Sequence, residues 1–209
     1  MKGLLLKDLY MMKTYCKSYL LIAAAFTVLS FTSGENQFFV FYPCMFCGMI
    51  PVNLLAYDER SKWMQYSATM PYTKRQIVSS KYIIGLGVQL AMLLITGIAQ
   101  AIRLSIGGTF RFDEYLVLML LLFIMASITS SVPLPFVFKY GTEKGRMSYY
   151  IMIGITCAVS VAASGLFSEN APISVMTTGT LAVMSPVGIG IYALSWYLSF
   201  MFYRNREIS

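Results

Sequence analysis

Long apolar runs without a single Asp, Glu, Lys or Arg dominate the chain, and their lengths predict its elements. Six such runs of 17 to 34 residues occur, at 18–34, 36–57, 82–102, 115–138, 147–168 and 170–203. A helix needs about 20 predominantly apolar residues to cross the hydrocarbon core of a bilayer. The pattern therefore predicts an all-α integral membrane protein with six transmembrane helices. Because no linker or soluble segment interrupts it, we expect one transmembrane domain over residues 1–209.

The composition agrees with a membrane protein, and the charges predict its orientation. Of the 209 residues, 57% are hydrophobic and only 12% are charged, whereas soluble domains carry about 25% charged residues. With six spans, 14 of the 16 Lys and Arg fall on the side that holds both termini, and only Arg103 and Arg111 fall on the other. Because Lys and Arg are enriched in cytoplasmic loops, we predict that both termini are cytoplasmic. The net charge of +7 is thus a topology signal, and it does not indicate nucleic-acid binding.

Residues 1–18 have the pattern of an amphipathic helix. One apolar stripe is formed, at 100° per residue, by Leu5, Leu9, Met12 and Cys16. The other side carries Lys2, Lys7, Lys13 and Lys17. Asp8 breaks this pattern. Such a helix would lie in the inner membrane interface with its lysines on anionic head groups, and a simple basic lead-in to the first span fits the residues equally well.

Residues 58–80 interrupt the apolar runs with charged and aromatic side chains. The pattern predicts a short helix that opens with Asp58 and Glu59, because acidic residues favour the first turn of a helix. Trp63, Tyr66 and Met70 are spaced to share one face of that helix. Exposed aromatic and arginine side chains are typical anchors for a protein partner. The alternative is an interfacial helix that rests its aromatic side chains on the bilayer.

A turn and a second helix follow. Pro71 is expected to end the short helix. Thr73 and Gln76 match a capping box, in which the Thr side chain caps the helix and the Gln side chain binds back to the Thr backbone. The capped helix is predicted to run through Lys81 into the third span.

Residues that carry catalytic or metal chemistry are sparse. Cys44 and Cys47 have metal-like spacing, but the chain has no second such pair and no histidine. We therefore interpret these two cysteines, together with Cys16 and Cys157, as packing thiols. The loop at 139–146 contains Gly and Lys without the order of a phosphate-binding loop. We expect neither a catalytic site nor a metal site in this chain, and no cofactor.

Three amide side chains lie inside predicted spans, and they are Asn53, Gln89 and Gln100. A polar side chain in hydrocarbon is expected to face a partner or a cavity. These residues are therefore candidates for a substrate path, and the alternative is a structural hydrogen bond between helices. Every Asp and Glu can be placed in a loop or at an interface, which argues against a proton-coupled carrier.

Several short motifs carry a family resemblance. They are Asp58-Glu59-Arg60-Ser61, Trp63, Met70-Pro71, Lys74-Arg75-Gln76-Ile77-Val78 and the opening Lys2-Gly3-Leu4-Leu5-Leu6-Lys7-Asp8. Together with the six-span layout they resemble the permease subunits of bacterial ATP-binding-cassette (ABC) exporters of the type-2 class. The resemblance covers the whole chain, and its size and layout are similar to the permeases of exporters for phenol-soluble modulins and other amphipathic peptides.

The resemblance implies partners and a function. It implies a bacterial plasma-membrane transporter with an ABC ATPase subunit, which binds ATP and Mg, and with a second permease copy, either identical or a paralogue. The loop between spans two and three would be a cytoplasmic coupling helix seated on the ATPase, a role that falls on Asp58, Glu59, Arg60, Trp63, Tyr66 and Pro71. The implied cargo is an amphipathic or antimicrobial-type peptide. A passive channel or a non-catalytic scaffold without an ATPase partner is the alternative.

Overall fold

The computed structural model of the chain describes residues 2–32, 38–67, 69–108, 111–166 and 178–205. These residues form helices and no strand, which confirms the predicted all-α class. In chain order the helices are α1 (Lys2–Tyr15), α2 (Lys17–Thr32), α3 (Phe38–Gly48), α4 (Ile50–Arg60), α5 (Trp63–Ser67), α6 (Lys74–Ile106), α7 (Phe112–Ser131), α8 (Pro133–Tyr140), α9 (Thr142–Leu166) and α10 (Thr178–Asn205).

Three helical stretches of the described chain are long and apolar enough to cross a membrane: Phe39–Arg60, Lys74–Ile106 and Tyr115–Tyr140. A shorter apolar stretch, Lys17–Ser30, corresponds to the first predicted span. The fifth and sixth predicted spans fall on α9 and α10, where the side chains of residues 156–185 lie outside the described part. The structure therefore supports a membrane protein, and the count of six spans stays a prediction.

The N-terminal helix α1 ends before the first apolar helix begins, and Cys16 joins the two. The apolar stripe expected from the sequence is confirmed in part. Cys16 is buried, and Leu5 and Met12 pack against the core. Leu9, however, is 47% exposed, and Asp8 is fully buried. Leu4 and Cys16 are buried on either side of Asp8. An acidic side chain thus occupies the centre of the face that α1 presents to the protein.

The second predicted span is broken where α3 meets α4. Pro51 follows the break, and the amide of Met49 donates to the carbonyl of Phe46 at 3.2 Å. This shorter hydrogen bond leaves the carbonyl of Met45 without its usual partner within the helix. The hydroxyl of Tyr149 in α9 donates to that carbonyl at 3.0 Å. A neighbouring helix therefore satisfies the group that the break exposes, as a membrane interior requires.

The longest helix, α6, has 33 residues and a length of about 50 Å. Its start matches the predicted capping box: the amide of Gln76 donates to the Thr73 hydroxyl at 3.3 Å, and the Thr73 amide donates to the Gln76 side chain at 3.2 Å. Helices α1, α2, α3, α4, α7 and α10 all pack against it. A buried cluster surrounds its first turns, with Val52, Leu55, Ile77, Val78, Leu134, Val137 and Phe138. Helix α6 is thus the central element of the fold.

Helices α8 and α9 meet at a single residue, Gly141, whose φ of 87° favours glycine. The loop expected at 139–146 is therefore helical on both sides of Gly141. Helix α9 then approaches α8 closely, because a Cβ atom at Gly145 would lie 2.4 Å from a methyl group of Val137. This sharp reversal places Thr142 against the end of α4.

Candidate functional site

The predicted coupling segment begins at the end of α4, where the structure corrects the expected local fold. Asp58 and Glu59 belong to the last turn of α4 and do not open a new helix. Their partners lie on distant parts of the chain, and these contacts outweigh the preference of acids for a first turn. The short helix that follows is α5, which ends at Ser67, ahead of Pro71. The rings of Trp63 and Tyr66 lie 5.5 Å apart, so the predicted shared face is confirmed for these two residues. Met70 lies beyond the end of α5 and is not part of that face.

Four charged side chains converge where α1, α4 and α6 meet, and we call them the charged junction: Lys7, Asp8, Asp58 and Lys81. The ammonium group of Lys81 lies 2.7 Å from an oxygen of Asp8 and 2.5 Å from an oxygen of Asp58. Lys7 lies 2.7 Å from the other oxygen of Asp58 and 3.2 Å from Asp8. Two lysines therefore face two aspartates, and the junction is neutral overall.

The charged junction is buried. Side-chain exposure is 2% for Lys81, 0% for Asp8 and 3% for Asp58, and only Lys7 is partly exposed, at 21%. A single buried charge is strongly unfavourable unless it is paired, so the four side chains depend on one another. Asp8 and Asp58 therefore lie on helices and are enclosed by the protein, Asp8 on α1 and Asp58 at the end of α4. The expectation that Lys7 faces lipid head groups is wrong, because Asp58 and Asp8 bind it.

Aromatic contacts add α5 to this assembly. The ammonium group of Lys7 lies 4.3 Å from the ring centre of Trp63, a favourable cation–π distance. Nearby, the rings of Tyr15 and Tyr57 stack with their centres 4.5 Å apart. The N-terminal helix is thus attached to the coupling segment by both ionic and aromatic contacts.

Glu59 attaches the same segment to α9. Its carboxylate accepts the backbone amide of Thr142 at 2.8 Å and the Thr142 hydroxyl at 2.5 Å. Thr142 is the first residue of α9, where unpaired amides and the helix dipole favour a negative charge. Neighbouring acids on α4 therefore hold different parts of the fold, since Asp58 binds α6 and Glu59 caps α9.

An open cavity of about 860 Å³ lies between the end of α4 and the α8–α9 junction. Its polar and aromatic lining includes Tyr57, Arg60, Tyr140, Glu143 and Lys144. Such a mixed lining is suited to charged and aromatic groups of another protein.

The structure separates the six predicted docking residues by exposure. Arg60, Tyr66 and Pro71 are exposed, Glu59 and Trp63 are half-buried, and Asp58 is buried. The carboxylate of Asp58 is occupied by two lysines and does not face outward.

The three predicted substrate-path amides are all buried, at 3% exposure for Asn53, 6% for Gln89 and 4% for Gln100. The amide nitrogen of Gln89 donates to Ser130 at 2.9 Å, and that of Gln100 donates to Ser30 at 3.3 Å. Both residues thus join helices through hydrogen bonds. They are separated by about 16 Å along α6, so the structure does not bring the amides into one site.

Gln89 also lines an apolar cavity of about 280 Å³ between α6, α7 and α10. Other lining residues are Leu90, Phe123, Ile189 and Tyr192. Neither Asn53 nor Gln100 lines this cavity. Of the three amides, Gln89 is therefore the one that lines this cavity.

A family model described as "ABC-2 family transporter protein" matches residues 3–204. The chain belongs to this family. No curated protein and no solved structure matches it. The ABC-2 family confirms the coarser part of the resemblance found in the sequence: the chain is a membrane protein and a transmembrane subunit of an ABC transporter, and the family implies an ABC ATPase as its partner.

Within its described residues this ABC-2 subunit has no group of His, Cys, Asp or Glu side chains that could hold a metal ion. Cys16, Cys44 and Cys47 are buried free thiols, and the side chain of Cys157 lies outside the described part. Burial raises the pKa of the Cys16 thiol to about 11, so this thiol is protonated at neutral pH.

Sequence reasoning missed Lys7, Asp8, Lys81 and Thr142 as parts of the site of this ABC-2 subunit. One signal was present for Asp8, because it is an acid that interrupts the apolar pattern of α1. Lys81 also precedes an apolar run of 21 residues. A residue that breaks a local pattern often has a distant partner, but nothing in the sequence identifies that partner.

Proposed function

We propose that the chain is the membrane permease of an ATP-driven exporter in a bacterial plasma membrane. Six transmembrane helices, with both termini in the cytoplasm, form the translocation path together with a second permease copy, which is identical or a paralogue. ATP and Mg bind to the separate ATPase subunit, and hydrolysis takes place there. The match to the ABC-2 family and the asymmetric distribution of Lys and Arg support this proposal.

The observation that carries the proposal is the attachment of the coupling segment to several helices at once. Asp58 is paired with Lys81 on α6 and Lys7 on α1, while Glu59 caps α9. A force applied to the end of α4 is therefore transmitted to these helices through buried, short contacts. Rigid attachment of this kind suits a segment that converts movement of an ATPase into movement of membrane helices.

We divide the predicted docking residues into two roles. Arg60, Tyr66 and Pro71, which are exposed, contact the ATPase directly. Asp58 and Glu59 position the segment from inside, and the half-buried Trp63 links it to α1 through Lys7. The cavity of about 860 Å³ beside Arg60 receives part of the ATPase surface.

The proposed cargo is an amphipathic or antimicrobial-type peptide. The apolar cavity beside Gln89 supports a cargo with hydrophobic groups and occasional hydrogen-bonding groups. Asn53 and Gln100 act in this proposal as structural amides that hold the path open, since neither lines the cavity. A transporter that moves only hydrophilic cargo would contradict this part of the proposal.

Co-purification from detergent-solubilised native membranes tests the function. The tagged chain should recover a nucleotide-binding ATPase, and an Arg60→Glu/Tyr66→Ala variant should recover at least tenfold less. Both residues are exposed, so the variant should fold. Arg111→Glu/Phe112→Ala is the matched control, because it changes an exposed arginine and an exposed aromatic residue at the other end of the spans. Recovery of no ATPase with the unmodified chain would favour a passive channel or a scaffold.

The orientation has a separate test. In a cysteine-free background, Ser61→Cys should resist a membrane-impermeant maleimide in intact cells, whereas Gly107→Cys should react. Both positions are exposed in the structure, so reactivity reports the side of the membrane. The reverse pattern would overturn the cytoplasmic assignment of the coupling segment.

A further inference from the structure

A second apolar cavity, separate from the one beside Gln89, lies on the outside of the helices. It is a groove of about 380 Å³ between α8 and α10. Its walls include Pro135, Phe136, Leu194, Leu198 and Phe202, and Lys139 lies among them. Phe136 and Leu194 are 45% and 60% exposed, so the groove is open to the surroundings of the protein.

The two serine hydroxyls of the groove are already hydrogen-bonded within the protein. The hydroxyl of Ser195 donates to the carbonyl of Ser131 at 2.6 Å, and the Ser131 hydroxyl donates to the carbonyl of Ile128 at 3.2 Å. Both serines therefore offer little to a polar occupant. Apart from Lys139 and the hydroxyl of Tyr140, the rest of the lining is apolar, which favours a hydrocarbon chain.

Lys139 supplies a positive charge at one end of this apolar surface. Its ammonium group lies 4.9 Å from the ring centres of both Tyr140 and Phe202, which hold it near the end of α10. In the described part of the chain no carboxylate lies within 4 Å of it, since the ion pairs there involve other residues. Its charge is therefore available to an external anion.

Lys139 is the cationic side chain among the lining residues of the groove. Lys74 and Arg75 contact α10 elsewhere, at Arg204 and Trp196, and neither lines the groove. A positive charge beside an apolar groove attracts anions.

We propose that this groove binds an anionic phospholipid, with its phosphate on Lys139 and an acyl chain between α8 and α10. The inference rests on the proposed orientation, which places this end of α8 at the inner leaflet, and does not depend on the ATPase or the cargo. Charge complementarity decides the occupant, because the inner leaflet of a membrane contains anionic lipids and a basic pocket between spans selects their head groups. A zwitterionic lipid would fill the groove without using the charge of Lys139.

Native mass spectrometry of the purified full chain in detergent tests the site. Phosphatidylglycerol and phosphatidylcholine with identical acyl chains serve as probes. Phosphatidylglycerol should bind about fivefold more tightly, which is the effect of one lysine near a phosphate. Lys139→Gln should abolish this preference, and Lys139→Arg should retain it. Lys144→Gln is the matched control, because Lys144 is an exposed lysine on the neighbouring helix that lines a different cavity.

Two further experiments distinguish binding of the acyl chain from binding of the phosphate group alone. Leu194→Trp should weaken the binding of both lipids, since it fills the groove without changing the charge. Glycerol phosphate at the same concentration should not displace phosphatidylglycerol. Equal binding of the two lipids, a preference that survives Lys139→Gln, or displacement by glycerol phosphate would each overturn the proposal.

Discussion

Two neighbouring residues of α6 hold the protein together in different ways. Lys81 enters the charged junction and binds aspartates on α1 and α4. Tyr82 points to α10, where its hydroxyl lies 2.6 Å from the hydroxyls of both Ser195 and Ser199. One side of the helix therefore depends on buried ion pairs, and the other depends on neutral hydroxyl groups.

The two sides of α6 differ in which buried groups lose their interaction partner when one side chain is removed. In the charged junction, loss of Lys81 leaves two buried carboxylates that share one cation, Lys7, and a buried charge that is not compensated is strongly unfavourable. In the hydroxyl network, loss of the Tyr82 hydroxyl leaves two serines; Ser195 still donates to the carbonyl of Ser131. The junction is thus suited to rigid attachment of the coupling segment, while the network tolerates change.

The largest effect is expected for Lys81→Met. This change keeps much of the side-chain volume but removes the cation between Asp8 and Asp58, so the free energy of unfolding should fall by about 3–5 kcal/mol. Thermal unfolding in detergent, followed by recovery in size-exclusion chromatography, measures the loss. Lys13→Met is the control, because Lys13 is exposed on α1. Similar melting curves for the two variants would contradict the burial of the junction.

A double variant tests whether the junction acts as a unit. Asp58→Asn in the Lys81→Met background removes one of the two carboxylates that then share Lys7, so the two changes together should cost less than their sum. Residues within one ion-pair network commonly show a coupling of about 0.5–3 kcal/mol. A double-mutant cycle of unfolding free energies measures it, and strict additivity would show that the two residues do not interact.

A smaller effect is expected for Tyr82→Phe. The change removes one hydroxyl that two serines share, so the free energy of unfolding should fall by about 1–2 kcal/mol. Tyr197→Phe on α10 provides the comparison, since Tyr197 is 60% exposed. The same thermal assay applies. A loss as large as that of Lys81→Met would remove the distinction between the charged and the neutral side of α6.

The smallest effect is expected for Gln100→Leu. Within the described residues, Gln100 makes one long hydrogen bond, 3.3 Å to Ser30, and hydrogen bonds between membrane helices contribute about 0.6 kcal/mol on average. Cargo transport should also be unchanged, because Gln100 does not line the cavity beside Gln89. Selective loss of transport at normal stability would instead place Gln100 in the substrate path.

Local rules were sufficient for several features of this protein. The capping box of Thr73 and Gln76 needs only four consecutive residues, and the structure forms it as expected. Trp63 and Tyr66 are three residues apart, so helical spacing alone places their rings together. The apolar runs likewise predicted helices able to cross a membrane at Phe39–Arg60, Lys74–Ile106 and Tyr115–Tyr140.

The candidate site required the tertiary structure. The sequence predicted that Asp58 and Glu59 belong to a coupling segment. It also predicted that both residues lie in the first turn of a helix and that Asp58 faces outward. Asp58 is instead buried by Lys7 and Lys81, which lie 51 and 23 positions away in the chain. Hydrophobic periodicity and helix capping depend on residues that are close in sequence, so both can be predicted from the sequence. The partner of a buried charge depends on which helices pack together, and the tertiary structure alone determines that packing.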